Sequence, residues 1–363
     1  MIAVTASIDV KEEFRKHYRS AFVPVSRLRE REFGFGSEKK IDFRHRVFQS
    51  EKEFNDFLRV ETPLFASYST AFYSYPERRP IEKKELNSAE LVFDLDSPTF
   101  KCDHEAGELF CWKCFSDIKS QCVRLVEDFL ESDFGIPASS ISLNYSGSKG
   151  FHIHVADGQW VGLNSAERRR LCDFVKGRGI DFDKVFFKLT SQPMRGPDSR
   201  SRGWRGKFRD FALKELSVGP EALKSLGATP QQAKKIAENK SVIADSIKMG
   251  NWDRVRGLEG FWKTLLSKFV ETNRVVVDES VTFDLHRLIR IPETLHGETG
   301  FIAKRVDLSE VEGFDPFFDA SIKGEGLSFK NEKSVKIKGE LVGGEVDFAT
   351  ALFIECRKRF GYL

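Results

Sequence analysis

Leu91-Val92-Phe93-Asp94-Leu95-Asp96 is the stretch on which the reading of this chain turns. It is a short, β-prone apolar run that ends in two carboxylates one residue apart. Strand alternation puts Leu91, Phe93 and Leu95 on one face and Val92, Asp94 and Asp96 on the other. Two carboxylates side by side at the end of a buried strand repel each other and lose hydration, so they need a compensating partner. Hard carboxylate oxygens suit a divalent cation such as magnesium or manganese. The plain alternative is a pair of solvated acids where the strand meets the Ser97-Pro98 turn, because D-x-D is a common string. The rest of the chain has to decide between the two.

A chain of 363 residues can bury a full core in one large domain or two ordinary ones. Its 40% hydrophobic and 31% charged residues are those of a globular protein. No apolar run approaches the length of a membrane span, and Met1-Ile2-Ala3-Val4 lacks the basic start and apolar core of a signal peptide. No membrane partner is expected, and a cytoplasmic location is. A net charge of +3 excludes little, because balanced acids and bases hide any local patch. Phenylalanine occurs 34 times against 3 Met, which points to an aromatic core. Six cysteines in an intracellular chain of this length argue against a disulfide framework.

Three of those cysteines cluster with a histidine directly after the opening stretch. Cys102-Asp103-His104 is followed by Cys111-Trp112-Lys113-Cys114, four soft or borderline ligands on two short turns. That is the ligand set of a closed tetrahedral zinc site, with no open position and therefore a structural role. Reduced thiols lying close together are the alternative. Cys122, Cys172 and Cys356 sit among apolar neighbours and read as small core residues.

Further on, Ile141-Ser142-Leu143-Asn144-Tyr145 and Phe151-His152-Ile153-His154-Val155 flank the turn Ser146-Gly147-Ser148-Lys149-Gly150, a hairpin pattern. Exposed amides and Lys149 would make an anion cradle there, and glycine allows the backbone close to a ligand. His152 and His154 share a strand face. They fit a phosphate-binding turn, a His-x-His metal pair, or a plain hairpin with hydrogen-bonded histidines.

The flanking segments supply the body. A helix capped by Asp9 spans residues 8–22, and Arg31–Phe35 with Ile41–Phe48 make a hairpin whose Glu32 and Arg44 have either a partner or a solvated edge. A second helix covers 50–58 and a third 163–175. Residues 195–209 form a Gly/Arg-rich loop with interleaved aromatics, suited to single-stranded nucleic acid or simply solvated. Residues 210–270 are helical, and strand character returns at Arg274–Asp278. Leu285, Leu288 and Ile289 make a helical stripe beside Arg287 and Arg290, His296 lies in a Gly-flanked turn, and a tail helix covers 348–360. The expected fold is α/β (α+β) with a mixed sheet. Residues 1–209 and 271–363 form a catalytic body with a zinc knuckle at 101–116, and 210–270 form a helical insertion.

In this order the pieces resemble the catalytic small subunit of the archaeal and eukaryotic DNA primases, and within these the archaeal form. The resemblance runs from Tyr18 and Arg31-Glu32-Phe33 to His296-Gly297-Glu298-Thr299-Gly300. Its most specific strings are Val92–Asp96, the knuckle, Ser146–His152, and Asp278 followed by Arg287-Leu288-Ile289-Arg290 and His296. It implies that Asp94, Asp96 and Asp278 are a magnesium- or manganese-binding triad, and that Cys102, His104, Cys111 and Cys114 hold zinc. It implies further that Ser146, Lys149, His152, Arg290 and His296 contact the nucleotide, with Glu32 and Arg44 near its sugar and the catalytic centre; on physical grounds a protonated His152 or His296 would join Lys149 and Arg290 in neutralising the phosphates. Nucleoside triphosphates, a single-stranded DNA template and a large primase subunit are the implied partners. The implied activity is de novo synthesis of short primers by two-metal nucleotidyl transfer. A repair or bypass polymerase that only extends primers, a zinc-bearing binding protein without catalysis, and a hydrolase using His152 and His154 are the rivals. Two departures stand out: Ser148 replaces a basic residue in the turn, and Glu298 replaces a lysine.

Overall fold

In the computed structural model, which describes residues 3–4, 8–104, 107–156, 158–188, 192–324 and 328–363, the helix Val10–Ser20 is capped by Asp9. The Asp9 carboxylate accepts the Lys11 and Glu12 N–H groups at 2.9 and 3.3 Å. Ser50 does the same for Glu51–Glu61, where its hydroxyl accepts the Glu53 N–H at 3.1 Å. Residues 105 and 106 of the knuckle segment, and Met1-Ile2, lie outside the described residues. No helix among the described residues is long and apolar enough to cross a membrane.

The chain divides into two compact units. One consists of Met1–Val123, Ile136–Cys172 and Val276–Leu363, the other of Arg124–Gly135 and Asp173–Val275. In the first, Leu91–Leu95 pairs antiparallel with Phe151–Val155, which pairs antiparallel with Ile141–Tyr145. A second sheet runs in the order Leu288–Arg290, Phe65–Ser69, Phe33–Gly36, Phe43–Arg46, also antiparallel throughout. Among the described residues, parallel and antiparallel pairs mix only in a third sheet, built on the hairpin Ser328–Ile337 and Glu340–Asp347. Part of the high phenylalanine count lies in this unit's core. Phe33, Phe35, Phe48 and Phe54 are fully or almost fully buried, with Phe57 4.6 Å from Phe35 between ring centroids. Tilted and edge-on rings of this kind add to plain area burial.

Two expectations fail near the site. Arg274–Asp278 is extended but joins no sheet; the Val276 N–H donates to the Gln121 side-chain oxygen and the Asp278 N–H to the Asp94 carbonyl at 2.9 Å. A valine run satisfied by such single contacts needs no ladder. The stripe at Leu285, Leu288 and Ile289 is not helical either. Leu288–Arg290 is a strand, because Phe65–Ser69 offers it an edge that a three-residue pattern cannot reveal.

The second unit is helical. The segment read as an exposed Gly/Arg loop turns into the helix Gly203–Glu215, and its aromatics are core rather than stacking surface. Trp204 and Phe208 are buried, Trp204 donating its indole N–H to the Phe174 carbonyl at 2.7 Å. That helix runs through the 209/210 boundary drawn from composition. The unit therefore begins at Asp173 and takes in Arg124–Gly135, where Asp133 accepts Lys207 at 2.6 Å.

Candidate active site

The antiparallel register sets His152 opposite Asp94, with the imidazole Nε2 3.7 Å from the carboxylate. Gly150 brings the turn to the end of the aspartate strand, since a Cβ there would lie 2.0 Å from the Leu95 carbonyl and 2.9 Å from the Asp96 Cα. From the other side comes Asp278, whose carboxylate accepts the Ser280 N–H at 2.9 Å and caps the helix Glu279–Phe283. The Asp94 carboxyl is pushed up to about 7 by burial and by the Asp96 and Asp278 charges, against the pull of Arg287 and Lys149. A carboxyl raised by two like-charged neighbours is one that a divalent cation would relieve, so the donor set fits such an ion.

These groups open into a cleft of about 400 Å³. Asp94, Asp96, Ser146, Lys149, His152, Arg290, His296 and Arg44 all line it. Asp278 and Glu32 do not. Glu32 is fully buried behind Arg44, whose Nε donates to it at 2.6 Å, and Lys84 Nζ stands 3.2 Å from its other oxygen. Burial alone would raise the Glu32 carboxyl, and Arg44 with Lys84 outweighs it. Glu32 thus orients Arg44 instead of facing the cleft.

The turn Ser146–Gly150 meets a second turn from far along the chain. Thr299 donates its hydroxyl to the Gly147 carbonyl, and Gly147, at φ +80°, has room for no side chain because a Cβ would lie 2.9 Å from the His296 Cβ. The surroundings of His152 and His296 disfavour a charged ring. Burial, with His154 and Arg290 nearby, lowers His152 to about 3, and burial, with Arg290, Lys40 and Arg357 around it, holds His296 well below its ordinary range. Burial and the neighbouring cations thus work against the protonated imidazole expected at these positions. Arg290, lowered by burial to about 10, stays charged.

Sequence reading missed Arg287 and Lys40 as cleft residues. Arg287 was quoted in the Arg287-Leu288-Ile289-Arg290 string and beside a supposed helical stripe but was given no role, and Lys40 sits in a hairpin turn with no pattern to mark it. With Arg44, Lys149 and Arg290 they make five cations around three carboxylates, Asp94, Asp96 and Asp284.

Apart from the cleft, the ligand atoms of Cys102, His104, Cys111 and Cys114 all lie within 4.8 Å of one another. The Cys102 and Cys111 sulfurs are 3.7 Å apart, and the Cys114 sulfur is 3.6 Å from His104 Nδ1. Tetrahedral zinc with ordinary bond lengths would place two sulfurs about 3.8 Å apart and a sulfur and a nitrogen about 3.6 Å apart. Cys114 lies in the first turn of Trp112–Arg124, so the second pair spans a loop and a helix start instead of a loop alone.

An α+β unit whose sheets converge on an acidic cleft ringed by cations has the layout of an enzyme acting on phosphates. The family profile of the DNA primase small subunit matches residues 93–308. The chain is 32% identical to the DNA primase small subunit PriS of Methanococcoides burtonii over 91% of this chain and 87% of that one. It is also 32% identical to the PriS of Methanothrix thermoacetophila (87% and 86%) and to that of Thermoplasma acidophilum (84% and 81%). Among solved structures, the polymerase domain of Mycobacterium tuberculosis ligase D in complex with DNA is a distant likeness. It shares 13% identity over 88% of this chain and 91% of that one, at a TM-score of 0.38. The chain belongs to the DNA primase small-subunit family, and its chemistry is nucleotidyl transfer.

Proposed function

We propose that this chain is the catalytic subunit of a primase that starts short RNA or DNA primers on a single-stranded DNA template. The observation that carries the reading is the pair Asp94 and Asp96 in a cleft with five cations, with Asp278 near enough for its charge to help raise the Asp94 carboxyl. The three aspartates are the residues to hold magnesium or manganese. What divalent cations supply when bound at such a site is a lower pKa at the attacking 3′-hydroxyl and charge balance at the leaving pyrophosphate.

The chain's own groups do the rest. Lys149, Arg287 and Arg290 neutralise the triphosphate, and the Ser146 turn adds backbone donors. His152 and His296, as neutral rings, donate an N–H without adding charge. Arg44, oriented by Glu32, reaches toward the sugar. Base pairing selects the nucleotide, so few base contacts are needed. Cys102, His104, Cys111 and Cys114 hold a structural zinc with no open position. A large primase subunit, as the family implies, completes the heterodimer.

The deciding experiment is synthesis on an unprimed single-stranded template with ribo- or deoxynucleotides. Product from wild type, and none from Asp94→Ala, is the expected result. Extension of a supplied primer without any unprimed product would instead make the chain a primer-extending polymerase. Alanine at Asp278 should abolish transfer and alanine at Asp284 should not; the reverse would overturn the ligand assignment.

A further inference from the structure

Glu298, the departure noted in the sequence, has an unexpected neighbour in the cleft wall. Lys40 belongs to the turn between the strands Phe33–Gly36 and Phe43–Arg46, and that turn is tightly built. The Asp42 carboxylate accepts the consecutive N–H groups of Ser37, Glu38 and Lys39 at 2.6, 3.0 and 3.1 Å. The Asp42 N–H in turn donates to the Phe35 carbonyl at 2.8 Å. Gly36 allows the turn to fold onto itself, since a Cβ there would lie 1.8 Å from the Lys39 carbonyl. Held this way, the turn presents Lys40 to the cleft, with its Nζ 3.9 Å from Glu298 Oε1.

The two partners are unequally committed. The Glu298 side chain is 14% exposed, accepts the Tyr362 hydroxyl at 3.2 Å and has Arg357 Nη1 3.9 Å from the same oxygen. Its own backbone N–H donates to His296 Nδ1 at 3.3 Å, so this carboxylate is a fixed part of the His296 turn. The Lys40 side chain is 68% exposed and rests on a long, solvated ion pair, a kind that contributes little. A triphosphate beside His296 and Arg290 would offer several charges and shorter charge-assisted bonds than Glu298 does.

We propose that Lys40 is a further nucleotide-binding residue: parked on Glu298 in the free protein, it moves to the triphosphate of the incoming nucleotide, and Glu298 is the positioning residue. The proposal rests on the nucleotidyl-transfer reading. It explains how a carboxylate is tolerated beside a phosphate cradle, because Arg357 and Lys40 flank it from two directions.

The test is ATP binding to the full chain by equilibrium dialysis, alongside KM and kcat for extension of a primed template. Lys40→Ala should weaken ATP binding and raise KM about tenfold with kcat within about twofold, the pattern of lost ground-state binding. Glu298→Gln should tighten binding a few-fold, and lose that effect when combined with Lys40→Ala. Lys40→Glu should bind worst, because it sets a charge of the triphosphate's own sign at this point of the cleft wall. Thermal midpoints that shift while ATP binding stays at the wild-type level in every variant would overturn the proposal and leave a structural ion pair. Wild type that binds ATP yet incorporates no nucleotide would refute the catalytic reading alone. Incorporation by wild type, together with undiminished ATP binding by Lys40→Ala, would refute the Lys40 assignment alone.

Discussion

Gly150→Ala isolates the close approach on which the site depends. The added methyl would lie 2.0 Å from the Leu95 carbonyl, whereas real Cβ atoms essentially never come within 3.0 Å of such a neighbour. The Ser146–Gly150 turn and the end of the aspartate strand must therefore separate by about 1 Å. Folding tolerates a shift of that size, at a cost of about 1–3 kcal/mol for an overpacked contact. Catalysis does not: misplacement by about 1 Å lowers a rate roughly 100-fold, or about 2.7 kcal/mol in the barrier. The variant should fold, show near-wild-type circular dichroism, and incorporate a single nucleotide on a primed template about 100-fold more slowly at saturating metal and nucleotide. Gly162→Ala, which meets nothing within 4 Å, serves as the control and should be neutral. A Gly150→Ala rate within about threefold of wild type would show that the Cβ is absorbed elsewhere, and the argument from close approach would fall.

Three other outcomes are expected. Glu90 is buried, and although burial would raise its carboxyl, Arg31 and His154 pull it down to about 2. Against an ordinary value near 4.3 that is about 3 kcal/mol of stability, present in full above about pH 4.3 and lost as the pH falls toward 2. Urea unfolding across that window should show the slope in wild type and not in Glu90→Gln, which should also be about 3 kcal/mol less stable at neutral pH. Because Asp94 is raised to about 7, incorporation at limiting magnesium should climb through that pH, and saturating magnesium should move the midpoint lower; a midpoint indifferent to magnesium would separate Asp94 from the metal. Cys111→Ser should lose the bound zinc, measured by atomic absorption, and lower the thermal midpoint, with the rate per folded molecule preserved; retained zinc would exclude Cys111 as a ligand.

Much of this was legible beforehand because the signals were local. Asp9 announces its helix through a cap, and two alternating runs around a Gly-rich turn can hardly be anything but a hairpin. Cysteine and histidine spacing marks the knuckle without reference to anything distant. The failures share one cause, dependence on an edge or a core supplied from elsewhere. Trp204 and Phe208 look like stacking residues until the helix Gly203–Glu215 buries them. Leu288–Arg290 becomes a strand because Phe65–Ser69 lies beside it, and Arg274–Asp278 stays out of a sheet because single contacts satisfy it.

By itself the sequence determined the residue types of the site, two carboxylates ending a strand, a basic Gly-rich turn and a four-ligand knuckle, since each is written within a few positions of chain. Tertiary structure alone decided what those groups are to one another. It set Asp278 against Asp94 by one backbone hydrogen bond, put Glu32 behind Arg44, and lowered the basicity of His152 and His296 by burying them near cations. It also set Lys40 beside Glu298, far apart in sequence and 3.9 Å apart in space. Charge, burial and distance act through space, and no spacing along the chain encodes them.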